Sequence, residues 1–129
     1  MKLVSFLVPL LVMAGALIPA GASAQPSQVR HMVVFKFKQG TTPAQVKQVT
    51  DALRALKDTI PGIVSFEHGV NNSPEKKNLG FTHAYLITFE NAAARDAYLP
   101  HPEHKKFGAL LGSLGVMEDV FVVDYEPAK

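Results

Sequence analysis

The segment RHMVVFKFK, residues 30–38, alternates its side chains in a way that decides the fold. In an extended strand, successive side chains point to opposite faces of the sheet. His31, Val33, Phe35 and Phe37 therefore share one face, and Met32, Val34, Lys36 and Lys38 the other. The first face is the more apolar, yet the second still carries Met32 and Val34. FTHAYLITFE (81–90) repeats the pattern, with His83, Tyr85, Ile87 and Phe89 opposed to Thr82, Ala84, Leu86 and Thr88. VMEDVFVVDY (116–125) is a third such segment, and its V-F-V-V run is apolar on both faces. A sheet built from these strands needs cover on both sides.

The covering elements are read from the intervening residues. Gly40-Thr41-Thr42-Pro43 is a helix start, with Thr42 as N-cap and Pro43 at the first helical position. Val46, Val49, Leu53, Leu56 and Ile60 then recur at steps of three and four, which is one apolar helix face, stopped by Pro61-Gly62. IVSFEHGV (63–70) is a strand, and NNSPEKKNLG (71–80) a polar loop. NAAARDAYL (91–99) is a short helix capped by Asn91, and a further helical piece follows Pro102 to about Leu111. The order is βαββαβ. It predicts an α+β, ferredoxin-like domain: a four-stranded antiparallel sheet with helices on one face. Helices cover only one side, so the half-apolar outer face predicts a homodimer, sheet against sheet.

The chain of 129 residues is one domain by length. Lys2, the apolar run Leu3–Ile18 and the small residues Ala22-Ser23-Ala24 predict a signal peptide over 1–24, cut after Ala24. The run is shorter than the ~20 residues a membrane span needs and contains Pro9. The expectation is a periplasmic or secreted protein, free of the membrane after cleavage, with a loose tail at 25–29 and the domain at 30–127. There is no cysteine, so packing alone must hold it and thiol chemistry is excluded. The 13 basic and 11 acidic side chains nearly balance and form no block of one sign, which excludes the electrostatic footprint of a nucleic-acid binder.

YLPHPEHKKF (98–107) carries the candidate chemistry. Pro100 ends one helix, His101 caps the next, Pro102 opens it, and His104 falls in its first turn. Unpaired backbone N–H groups, Lys105 and Lys106 disfavour an imidazolium there, which leaves a neutral imidazole able to act as a base. A Tyr98 hydroxyl bonded to His104 would complete an acid–base pair. The alternative is a helix-end aromatic beside a surface histidine, and spacing alone does not choose between them. His101 and His104 at i, i+3 could share a metal, but a structural zinc normally takes four protein ligands, so no metal is expected. His68 reads as a strand residue without a special role.

Together, RHMVVFKFK, IPGI, GFTHAYLITFE, YLPHPEHKKFG and FVVDYEP resemble the stress-responsive α/β-barrel (Dabb) family across the whole domain. The resemblance implies a ferredoxin-like dimeric α/β barrel paired through its sheets. The family includes a plant polyketide cyclase that works without a cofactor. By that resemblance, His104 and Tyr98 are the catalytic pair, and His31 and His83 line the pocket. A further pocket tyrosine is replaced here by Leu53. The pocket is then expected between sheet and helices, walled by Val33, Phe35, Phe66, Tyr85, Leu99 and Phe107. Two functions follow. One is binding of a small, largely apolar molecule by an exported stress-response domain. The other is a cofactor-free cyclase or lyase using His104 and Tyr98 on an enolisable carbonyl compound. An oxygenase on the same fold is supported by the fold alone.

Overall fold

The computed structural model describes residues 26–128; the expected signal peptide at 1–24 lies outside them. Seven elements follow one another: β1 (Val29–Phe37), α1 (Pro43–Thr59), β2 (Ile63–Val70), β3 (His83–Phe89), α2 (Ala92–Tyr98), α3 (Pro102–Leu114) and β4 (Met117–Tyr125). The strands form one antiparallel sheet in the order β2-β3-β1-β4. The expected ferredoxin-like arrangement is therefore present.

Local chemistry explains the helix boundaries. The Gln45 N–H donates to the Thr42 hydroxyl at 3.2 Å, and the Thr42 N–H donates to the Gln45 side-chain oxygen at 2.9 Å. This reciprocal pair satisfies two N–H groups that the first turn of α1 leaves without helical partners. Asn91 caps α2 through the Ala94 N–H at 2.9 Å. The last helix runs to Leu114, three residues beyond the expected end, because Gly115 adopts a left-handed conformation (φ 61°) that closes it. Gly62 is required for a different reason. Its φ is +89°, and a Cβ there would stand 2.6 Å from the Ala94 methyl, so α2 can approach the β2 turn only over a glycine.

The core lies between the helices and the face of β1 that carries His31, Val33 and Phe35. Val49, Leu53, Leu56 and Ile60 enter it from α1 and its C-cap, Tyr85, Ile87 and Phe89 from β3, and Phe107 from α3. Val29, expected in the loose tail, is buried at 3 % exposure and pairs with Phe89, so β1 begins one residue early. The opposite sheet face keeps Phe121, Val123 and Tyr125 at 39–48 % exposure, beside the half-buried Met32, Val34 and Leu86.

Candidate functional site

The break between α2 and α3 creates the site. The Leu99 N–H still donates to the Arg95 carbonyl, the His101 N–H turns back to the Tyr98 carbonyl at 3.0 Å, and Pro102 starts α3. The His101 ring nitrogen Nδ1 accepts the Glu103 N–H at 3.2 Å, which makes His101 a helix cap. This tight reversal stacks His104 on Tyr98, with ring centroids 4.2 Å apart and planes 32° apart. The contact is ring against ring. His104 Nδ1 lies 3.0 Å from the Leu99 carbonyl oxygen. A carbonyl only accepts, so Nδ1 carries the proton, and in the neutral ring Nε2 holds the free lone pair. The expected hydroxyl–imidazole bond therefore cannot run through Nδ1.

Tyr98 is 1 % exposed. Its ring packs on Phe89 at 5.0 Å and, edge to face, on His31 at 5.8 Å. Burial pushes its phenol far above the ordinary tyrosine range, so it remains a neutral O–H donor. His31 comes from β1, where antiparallel pairing sets it opposite Asp124 of β4. Its Nδ1 lies 2.6 Å from the Asp124 Oδ1, and Arg95 of α2 holds the other carboxylate oxygen. Burial pushes the Asp124 carboxyl up, but the hydrogen bonds from Arg95 and His31 outweigh it and hold it below the ordinary range. An ionised Asp124 thus keeps the His31 proton on Nδ1 and turns Nε2 away from it.

The remaining expected pocket residues do not gather there. His31 pairs with Ile87 and His83 with Phe35, four residues along β1. At about 3.3 Å per residue that is roughly 13 Å, so the two histidines do not share a pocket. His83 instead bonds Thr82 Oγ1 at 2.8 Å and meets Phe37 edge to face. The space between them is filled. Tyr85 is 1 % exposed, its hydroxyl is 2.8 Å from Thr50 Oγ1, and its ring lies 5.0 Å from Phe35. Val33 and Phe107 are likewise core, Phe66 lies half-buried under the Arg54 guanidinium, and Leu99 is 47 % exposed. The single hollow walled by all eight residues is therefore corrected to a packed interior with polar clusters at either end.

Asp124 and Arg95 belong to the first cluster and were not singled out from sequence. Asp124 stood in the closing DYEP motif, but its role depends on the β1–β4 register. His104 is half-exposed, whereas Tyr98 and His31 are buried, so the cluster opens to solvent on the His104 side. Among the described residues, no group of three or more His, Cys, Asp or Glu side chains could hold a metal ion.

Comparison with known proteins finds relatives of the whole domain. Residues 29–127 match the stress-responsive A/B barrel domain family, Dabb. Olivetolic acid cyclase of Cannabis sativa is 32 % identical over 101 residues, covering 78 % of this chain and 98 % of that one. The structure of a hydroxynitrile lyase from Passiflora edulis superposes with a TM-score of 0.72 at 25 % identity, over 81 % of this chain and 96 % of that one. A dimeric ferredoxin-like protein of unknown function from Jannaschia sp. CCS1 superposes with a TM-score of 0.66 at 28 % identity, over 78 % and 99 % of the two chains.

Proposed function

Because this chain belongs to the stress-responsive A/B barrel domain family, we propose that it is a cofactor-free acid–base enzyme acting on a small, largely apolar carbonyl compound. The observation that carries this reading is the buried, un-ionised Tyr98 stacked on an imidazole whose Nδ1 is committed to Leu99. His104 Nε2 takes a proton from the carbon or hydroxyl beside the reacting bond. The Tyr98 phenol donates a hydrogen bond to the oxygen on which negative charge develops, and its raised pKa keeps that proton in place. His31, oriented by Asp124, packs edge to face on the phenol ring. That relatives carry the names of a cyclase and a hydroxynitrile lyase supports an enzymatic reading. In this reading the substrate enters over His104.

The protein acts as a homodimer joined through its outer sheet faces. The apolar residues left on that face and the dimeric relative support this. The apolar run at Leu3–Ile18 supports export, and amino-terminal sequencing of the processed chain is expected to begin at Gln25; an unprocessed start at Met1 removes export.

The function is tested by deuterium exchange at the carbon beside the carbonyl of a β-diketone and by cleavage of an aromatic cyanohydrin, both followed by NMR. The wild type is expected to exceed the buffer rate on at least one. His104→Ala and Tyr98→Phe are each expected to lose about 100-fold or more while melting as the wild type does. Rates at the buffer level in the wild type, or undiminished rates in both variants, refute the reading.

A further inference from the structure

The second polar cluster does not depend on the acid–base reading. A cleft of about 610 Å³ opens between α1 and the β2–β3 pair, separated from Tyr98 by the packed Phe35 and Tyr85. We infer that this cleft binds a small organic monoanion with an apolar body. Lys47, Asp51 and Arg54 line it from α1, and His68 and His83 from the sheet. The volume lies within the ~300–1,000 Å³ usual for small-molecule sites.

The charge follows from the pairings. Asp51 bonds both Lys47 and Arg54, with Arg54 Nη1 at 2.7 Å, and these contacts hold its carboxyl below the ordinary range. Among the described residues, one carboxylate paired with two cations leaves one positive charge without a counter-charge. The histidines do not supply one. Arg54 Nη2 lies 2.8 Å from His68 Nε2, and a guanidinium only donates, so that nitrogen carries no proton and the ring is neutral. Burial lowers His83 below the ordinary histidine range. A single anionic group is the complement to this wall. The rest of the cleft is apolar: Pro43, Val46 and Val70 line it, and Val70 is 65 % exposed. Thr50 also lines the cleft. A carboxylate facing Lys47 and Arg54, with a short apolar body over Val46 and Val70, matches both halves.

The test is an NMR titration of the mature domain with sodium benzoate, and with benzamide as the uncharged analogue of the same shape. Benzoate is expected to give saturable shifts in the segments 41–54, 68–70 and 82–84. Benzamide is expected to bind about tenfold or more weakly, the worth of roughly one charge contact. Arg54→Gln and Lys47→Gln are each expected to weaken benzoate several-fold; Lys47 is 75 % exposed, so its variant reads the site even if the Arg54 variant fails to fold. His104→Ala is expected to leave benzoate binding intact. Equal binding of benzamide overturns the inference, as do unsaturable scattered shifts or shifts centred on Tyr98 and His104.

Discussion

Replacing Asp124 with alanine isolates the contact that orients His31. His31 is 6 % exposed, and Asp124 is the acceptor of its Nδ1–H. Truncation leaves a buried N–H without a partner, which costs about 1–3 kcal/mol. Arg95 loses one carboxylate but keeps Asp96 at 2.7 Å, so its share is below about 1 kcal/mol. Asp124→Ala should therefore destabilise the domain by roughly 1–4 kcal/mol. The assay is urea unfolding at fixed protein concentration, since association also contributes to apparent stability. Asp96→Ala is the matched control. Asp96 is 65 % exposed and pairs with the same Arg95, so its loss should cost less than about 1 kcal/mol. The pH dependence has a definite sign. The folded Asp124 carboxyl lies below its ordinary value, so its contribution is fully present above the unfolded pKa of about 3.9 and fades as pH falls through the folded one. The gap between wild type and Asp124→Ala should shrink in that acid window. An Asp124→Ala cost no larger than that of Asp96→Ala, or a gap unchanged in acid, refutes the pairing.

Two further outcomes follow from packing. Gly62→Ala should cost about 1–3 kcal/mol, because the new Cβ meets Ala94 at 2.6 Å and φ is +89°. Gly108→Ala, inside α3 with nothing within 4 Å, should instead stabilise by about 0.5–1 kcal/mol; urea midpoints for the pair check both signs. Phe121→Asp puts a charge on the outer sheet face, where Phe121 is 48 % exposed. Light scattering should show a dimer for the wild type and a monomer with unchanged far-ultraviolet dichroism for the variant. A monomeric wild type refutes the sheet-to-sheet pairing.

The elements were legible because their signals are local. Thr42-Pro43 states a cap, Val49, Leu53 and Leu56 state a helix face, and the alternation around Val33 and Tyr85 states which side of the sheet is buried. Tyr98 and His104 could be considered together because only a proline-broken turn separates them. What depended on register was not legible. Strand patterns do not say that His83 lies opposite Phe35 and His31 opposite Asp124, so one pocket with two histidines looked as natural as two separate clusters. The packed interior was hidden for a similar reason. Tyr85 and Thr50 are 35 residues apart, and only their hydrogen bond shows that a tyrosine fills the space beneath α1. The partnership of Arg54 and His68 also spans two elements, which is why His68 read as an ordinary strand residue.

The most direct measurement is the tautomer of His104, read from long-range proton–nitrogen correlations in a chain spanning residues 26–129. The expected result is a protonated Nδ1, held by the Leu99 carbonyl, and a bare Nε2 in the neutral ring, unchanged in Tyr98→Phe. A ring protonated at Nε2, or one averaging freely between the two forms, would leave the proposed base without its lone pair and refute its role.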